Sequence, residues 1–233
     1  MDTLPTLLIP GLAATARLYE VQIPALWRLG PVMVANHTRR ESMPALVEDI
    51  LAHAPPRFAL AGLSMGGYIA FEIMRQAPDR VLKLVLLDTS ARPDTPEQTA
   101  RRRLMIEKAG PGDLSLVTDL MFPALVHADR KGDETLKAAV EEMLFETGLA
   151  AFIRQQTAIM SRPDSRPGLS AIRCPALVLV GDGDELTPPA LAGEIAQGIE
   201  GARLVTVPHC GHLSTLERPE FVTKAIVEWL QGN

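Results

Sequence analysis

The chain has 233 residues, 47% of them hydrophobic and 22% charged, a composition that favours a packed globular protein over a disordered one. This length is enough for one large domain of helices and strands. The formal net charge of −5 argues against a surface that binds nucleic acid or an anionic membrane, and the run Arg101–Arg103 is interpreted as the solvated face of a polar helix.

The number of cysteines and the N-terminal segment indicate in which cellular compartment the protein is expected. The two cysteines, Cys174 and Cys210, are too few for a disulfide framework and fit a reducing cytosol. Residues 1–11 lack a basic start and are interrupted by prolines, so they predict a first strand and not a signal peptide. A cytoplasmic protein without membrane or nucleic-acid partners is expected, and the oligomeric state is left open.

Short apolar runs, rich in branched side chains and ended by turn residues, predict six strands at 6–11, 32–37, 58–63, 84–89, 176–181 and 203–208. Helical patterns lie between several of them, from Ser42 to about His53, from Ser64 to about Ala77 and from Pro188 or Pro189 to about Gly198. The runs are continuous and not alternating, which is typical of parallel strands covered on both faces. The prediction is an α/β fold with a doubly wound, mostly parallel sheet of about six strands.

The last segment, 217–230, is amphipathic. Its predicted apolar stripe consists of Phe221, Ala225, Ile226, Trp229 and Leu230.

One segment, 91–173, contains helical patterns and no convincing strand, and its helices are predicted to be punctuated at Pro111-Gly112, Pro123, Gly148 and Pro163. We therefore predict an α/β core made of residues 1–90 and 174–233 and an all-helical cap insertion over the carboxyl edge of the sheet, where open α/β sheets bind ligands. Some methionines and phenylalanines of the insertion are expected to line a pocket, and most of them to hold the cap in place. The residues predicted to bind substrate are Met121, Phe122, Phe152 and Met160.

The stretch GLSMGG places Ser64 between glycines, directly after a predicted strand and before a predicted helix. This context is the one in which G-x-S-x-G forms a nucleophile elbow, a strained turn that leaves no room for side chains at Gly62 or Gly66. Ser64 is therefore a candidate nucleophile.

A serine hydroxyl needs a base, and the base needs a carboxylate to orient it. His209 and His212 follow the last strand and are the candidate bases, whereas His37, His53 and His127 are interpreted as surface or helix-capping residues. The candidate acids are Asp88, Asp182, Asp184 and Glu185, all of which follow strands. No second ligand cluster supports a metal site at the two histidines, so neither metal nor other cofactor is expected.

These motifs together resemble the α/β-hydrolase-fold serine hydrolases, close to the small bacterial carboxylesterases with a helical cap. The resemblance spans nearly all of the chain. It assigns the nucleophile to Ser64 in GLSMGG, the acid to Asp184 in GDGDELTPP and the base to His212 in CGHLSTLERPE.

Two departures from the family pattern concern the N-terminal part of the chain. Pro10-Gly11-Leu12 stands where the family usually has His-Gly, and the family's initial two-stranded hairpin is expected to be absent, so that about six strands are predicted instead of eight. Because oxyanion donors are backbone N–H groups, the resemblance still implies that Leu12 and Met65 supply them.

The resemblance implies a carboxylesterase that acts through an acyl-enzyme on a small-molecule ester. A lactonase or carbon–carbon bond hydrolase is the first alternative, thioesterase and acyltransferase activities are open, and an inactive hydrolase fold used for binding is the alternative from another class. Because no basic cluster adjoins the motifs in sequence, small to medium uncharged esters are the expected substrates. Arg17, Arg154 and Arg162 are the residues that could instead bind a carboxylate.

Overall fold

The computed structural model describes residues 3–110 and 114–232. Six strands form one sheet in which every neighbouring pair is parallel, in the order β2-β1-β3-β4-β5-β6. Their bounds are β1 Thr6–Ile9, β2 Val32–Val34, β3 Phe58–Leu63, β4 Val81–Leu87, β5 Ala176–Gly181 and β6 Arg203–Val207. The predicted sheet is confirmed. The strand order reverses between β1 and β3, and such a switch point is where α/β sheets open a crevice for ligands.

Ten α-helices connect or flank the described strands. Their bounds are α1 Gln22–Trp27, α2 Met43–His53, α3 Met65–Gln76, α4 Pro96–Ala109, α5 Leu114–Leu125, α6 Glu134–Thr147, α7 Leu149–Met160, α8 Pro189–Gly198, α9 Ser214–Glu217 and α10 Pro219–Gln231. Helices α2, α3 and α8 lie where the sequence predicts them. None of these helices is long and apolar enough to cross a membrane.

Helices bury both faces of the sheet, which explains why its strands are apolar along their length. Every residue of β3 and β5 is buried. Alternate side chains enter two clusters, since Leu7 of β1 packs on one face with α2, α3 and α8 and Leu8 packs on the other with α1 and α10.

The buried stripe of α10 differs from the predicted one. Val222, Ile226 and Leu230, spaced four residues apart, are buried against the sheet. Phe221 is 42% exposed, because it lies one residue away from this row. Ala225 and Trp229 are partly buried at the edges of the row.

Helices α4 to α7 occupy the chain between β4 and β5, and no strand interrupts the described part of 91–173. Pro123, predicted to punctuate the helices of this segment, does not separate two of them. Pro123 lies within the last turn of α5, where the loss of one backbone hydrogen bond is tolerated. The predicted break at Pro111-Gly112 lies outside the described residues, and the division into core and cap domains stays a prediction.

A pair of neighbouring variants tests the packing of α10. Val222→Ala should lower the free energy of unfolding by about 2 kcal/mol, since it leaves a cavity in the core. Phe221→Ala should lower it by less than about 1 kcal/mol, because its ring is largely solvated. Urea titrations followed by circular dichroism compare the two, and a larger loss for Phe221→Ala would contradict this packing.

Candidate active site

Ser64 lies at the tight turn between β3 and α3, in a strained backbone conformation with φ of 55° and ψ of −113°. A Cβ atom on Gly66 would lie 2.0 Å from the carbonyl oxygen of Ile9, and one on Gly62 would lie 2.3 Å from that of Gly66. The predicted need for both glycines is confirmed. The turn is fixed by hydrogen bonds from the amide of Ser64 to Leu87 O and from the hydroxyl of Thr89 to Ser64 O.

His212 and Asp184 form a buried pair on the loops that follow β6 and β5. The Nδ1 atom of His212 donates to Oδ2 of Asp184 at 2.8 Å, and the two residues are each 3% exposed. With the proton on Nδ1, the opposite ring nitrogen, Nε2, is the basic one. Asp184 also accepts hydrogen bonds from the amides of Leu186 and Thr187 and from the Thr187 hydroxyl.

Burial and neighbouring charge shift the pKa values of His212 and Asp184 in opposite directions. Burial would lower the pKa of His212, but the charge of Asp184 and its hydrogen bond outweigh burial and raise it. Burial would raise the pKa of Asp184, but the charge of His212 and the hydrogen bonds it accepts lower it. The geometry therefore favours an ionised Asp184 beside a histidine of increased basicity.

The other candidate acids and base have different partners. Asp182 accepts hydrogen bonds from the backbone amides of His209 and Cys210, so it stabilises a turn, and the side chain of His209 is exposed. Asp88 is fully buried and accepts hydrogen bonds from Ser214 Oγ and the amide of Gly181. Burial and the nearby charge of Asp184 raise the pKa of Asp88 to about 8.

Ser64 and His212 line one cavity of about 620 Å³. Of the four residues predicted to bind substrate, Met121 lines it. The other three do not, and this part of the prediction was wrong. Phe122 and Phe152 are 2% and 0% exposed in the apolar core, and Met160 is partly buried elsewhere at the end of α7. Large apolar side chains of amphipathic helices fill the core before they line a solvent-filled space.

The loop after β1 lies beside the nucleophile. A Cβ atom on Gly11 would lie 3.5 Å from Cβ of Ser64, and Leu12 lines the cavity. Within the part of the chain that the structure describes, the amides of Leu12 and Met65 donate to no acceptor. Both are therefore open to an oxyanion, although their role as donors stays a prediction.

Two side chains that the sequence did not single out hold this loop. The amide of Ala13 donates to Oε1 of Gln155 in α7 at 2.9 Å. His37, interpreted as a surface or capping residue, is instead buried and donates from Nε2 to Gly11 O at 3.0 Å. Burial lowers the pKa of His37, against the effect of its backbone hydrogen bonds, so the ring acts as a neutral donor.

Glu217 fixes the loop that carries His212. Its carboxylate is 4% exposed and accepts the amides of Gly211 and Leu213 on Oε1 and that of His127 on Oε2. In sequence, Glu217 appears only within the Glu-x-Pro pattern that leads into the last helix, and its role was not predicted. Its burial and its three amide donors identify it.

Arginines also line the cavity. Within the three-arginine run, Arg101 and Arg103 are exposed, as a solvated face requires, and Arg102 is partly buried. Arg101 and Arg102 of that run contribute to the lining, whereas Arg103 does not. Of the three arginines named as potential carboxylate ligands, Arg162 lines the cavity. Arg17 pairs with Glu142 and Glu146 at the surface, and Arg154 donates to Thr38 O.

A separate cluster of potential metal ligands consists of His127, Asp129 and His209. Their nearest ligand atoms lie within 4.8 Å of one another. None of the three lines the cavity that Ser64 and His212 share.

Comparisons with known proteins agree with this architecture. The sequence pattern of the alpha/beta hydrolase family matches residues 6–225. The pimeloyl-[acyl-carrier protein] methyl ester esterase of Nitrosomonas europaea is 26% identical over an alignment 235 residues long, gaps included. The alignment covers 91% of this chain and 84% of that protein.

Two solved structures are similar in sequence and in fold. An esterase from Thermogutta terrifontis is 31% identical, with a TM-score of 0.89 over 99% of this chain and 90% of that chain. An enol-lactonase from Burkholderia xenovorans is 25% identical, with a TM-score of 0.87 over 100% of this chain and 93% of that chain.

The raised pKa of His212 predicts the pH dependence of any reaction in which it is the base. Activity needs the neutral ring, so kcat/KM should fall as the pH drops through a midpoint above the ordinary value of about 6.5. Asp184→Asn removes the charge that raises this pKa, so the midpoint of its residual activity should move to lower pH. Asp182→Asn is the control, because Asp182 does not contact His212. An equal shift of the pH midpoint in both variants would contradict the role of Asp184 as the carboxylate that raises the pKa of His212.

Glu217→Gln tests the support of the His212 loop. The variant places an N–H group against buried amides, so it should lower the free energy of unfolding by about 2 kcal/mol and reduce kcat more than it raises KM. Glu220→Gln, an exposed position on α10, should change neither. Thermal melts and steady-state kinetics measure both effects, and an unchanged kcat in Glu217→Gln would show that the loop keeps its geometry without the carboxylate.

Proposed function

Since the chain belongs to the alpha/beta hydrolase family, we propose that it is a serine hydrolase that cleaves carboxylic esters. Ser64 is the nucleophile, His212 the general base, and Asp184 orients the imidazole and stabilises its charged form. The observation that carries this proposal is the buried His212–Asp184 hydrogen bond of 2.8 Å, which lies beside the same cavity as the strained Ser64.

The reaction would proceed in two halves. The hydroxyl of Ser64 attacks the ester carbonyl while Nε2 of His212 takes its proton, and the amides of Leu12 and Met65 donate to the oxyanion. His212 returns the proton to the leaving alcohol, which gives an acyl-enzyme. A water molecule deprotonated by His212 then attacks the acyl group, and Ser64 and the carboxylic acid are released.

Ester hydrolysis is favoured over other reactions of this fold by the names of the relatives, two of which are described as esterases. A lactonase is the second candidate, supported by the similarity to the Burkholderia xenovorans enol-lactonase. A lactone is a cyclic ester, so the same groups would open it, and the alcohol would remain attached to the acyl chain. A binding protein without activity is disfavoured, because it would not need a strained serine beside a buried histidine–carboxylate pair.

Alanine variants test the assignment. Ser64→Ala and His212→Ala should each lower kcat for p-nitrophenyl esters by about 10⁵-fold, with a smaller loss for Asp184→Ala. The double variant Ser64→Ala/His212→Ala should lose no more than either single one, because the residues act as a unit. A fluorophosphonate probe should label the wild-type protein and fail to label Ser64→Ala.

His209→Ala is the matched control, because His209 is the neighbouring histidine on the same loop and its side chain is exposed. It should keep wild-type kcat. Loss of activity in His209→Ala with activity retained in His212→Ala would overturn the choice of base.

A further inference from the structure

One side of the cavity is rich in positive charge. Four arginines line it. Arg92 lies between β4 and α4, Arg101 and Arg102 lie within α4, and Arg162 follows the end of α7. The first turn of α4 also faces the cavity through Thr95 and Gln98, so the positive end of that helix dipole adds to the field. We call these four arginines the arginine wall.

The charges of the arginine wall are only partly neutralised. Arg92 pairs with Glu194 through two hydrogen bonds of 2.9 and 3.1 Å. Asp94, whose side chain is 1% exposed, is shared by Arg102 at 2.7 Å and Arg162 at 2.5 Å. One carboxylate between two guanidinium groups leaves one positive charge in excess.

Arg101 adds a second uncompensated charge, since it pairs with no carboxylate in the described part of the chain. Glu185, the acidic residue of the lining, is bound to Lys131 at 3.0 Å. The cavity therefore has a net positive side, although the protein as a whole carries a formal charge of −5.

The arginine wall adjoins the nucleophile. The guanidinium of Arg162 stacks on the ring of Tyr68, with Cζ 4.1 Å from the ring centroid. Tyr68 lines the cavity, and its amide donates to the carbonyl of Ser64. The side chain of Arg162 is 6% exposed, and its Nη2 atom has no acceptor among the described residues. A guanidinium donor of an arginine that lines the same cavity as Ser64 thus has no protein partner among the described residues.

A different part of the lining is apolar. It consists of side chains from α5 and from loops near the sheet: Leu18, Leu120, Met121, Ala124, Leu125 and Leu213. A cavity of about 620 Å³ is within the usual range for small-molecule sites, which is roughly 300–1,000 Å³. Its two kinds of lining fit a ligand that is apolar along most of its length and anionic at one point.

We propose that the arginine wall binds a carboxylate of the substrate, so that the preferred substrates are esters of an apolar chain that also bears a free carboxylate. This inference rests on the proposed esterase function and names its substrate class. Arg101 supplies a charge that no carboxylate of the described residues neutralises, and Arg162 supplies an open donor. The bound carboxylate fixes the position of the ester carbonyl relative to Ser64 and contributes specificity.

The sequence predicted uncharged substrates because no basic cluster adjoins the catalytic motifs along the chain, but the tertiary structure brings arginines to the cavity. Residues 92, 101, 102 and 162 are distant from the three catalytic motifs in sequence, but helices α4 and α7 bring them into the cavity that Ser64 lines.

The test compares two esters that differ only in the remote group. The mono-p-nitrophenyl ester of a medium-chain dicarboxylic acid carries the carboxylate, and its terminal primary amide is the neutral match. Wild-type kcat/KM should be at least about tenfold higher for the carboxylate ester, and added NaCl should reduce this preference. Arg101→Gln should reduce the preference by about tenfold.

Arg103→Gln is the matched control, because Arg103 is on the same helix and is exposed like Arg101, but does not line the cavity. It should keep the wild-type preference. A second pair, with the carboxylate or amide on the alcohol side, identifies which half of the ester faces the arginine wall. An Arg101-dependent preference in either pair supports the proposal.

Two kinds of failure are distinguishable. Equal rates for the charged and neutral esters, or equal effects of Arg101→Gln and Arg103→Gln, would overturn the arginine wall and leave the esterase function intact. If the wild type and Ser64→Ala hydrolyse all four esters at the same rate, the proposed function itself is wrong.

Discussion

The site depends on the close approach of α3 to the ends of β1 and β4. Gly66 lies under the carbonyl of Ile9, and a Cβ atom on Gly67 would lie 2.3 Å from the hydroxyl oxygen of Thr89. Side chains larger than hydrogen would separate these elements. Because they are in contact, Ser64 and the loop after β1 meet at one edge of the sheet, and the strained backbone of Ser64 is held by its neighbours.

Three buried acids surround the last loop, and each has a different task. Asp184 is paired with His212, Asp88 accepts from Ser214, and Glu217 accepts backbone amides. Two buried carboxylates near one another cannot both be ionised at low cost. The raised pKa of Asp88 relieves this repulsion, so that Asp184 keeps its charge next to the histidine.

The helices between β4 and β5 are structurally coupled to the active-site loops. Leu125 O, at the end of α5, accepts the amides of both His212 and Leu213. Gln155 of α7 accepts the amide of Ala13, next to Leu12. The same helices supply the apolar lining and the arginine wall. Rearrangement of these helices would therefore change the geometry of the loops together with the shape of the cavity.

The sequence by itself determined the sheet, the elbow at Ser64 and the helices α2, α3 and α8, because these follow from local rules. Continuous apolar runs form buried parallel strands, and a serine between glycines at a strand–helix junction permits a positive φ. The residues alone left four competing acids, Asp88, Asp182, Asp184 and Glu185. The resemblance to the α/β-hydrolase-fold serine hydrolases was needed to select Asp184 and His212.

Only the tertiary structure decided which side chains face the cavity. Phe122 and Phe152 are in the core while Arg101 and Arg102 line the site, because the packing of α4 to α7 against the sheet fixes the rotation of each helix. That rotation depends on contacts between residues far apart in sequence. Hydrophobic periodicity predicts that a helix has a buried side, but it does not predict where the remaining side chains point.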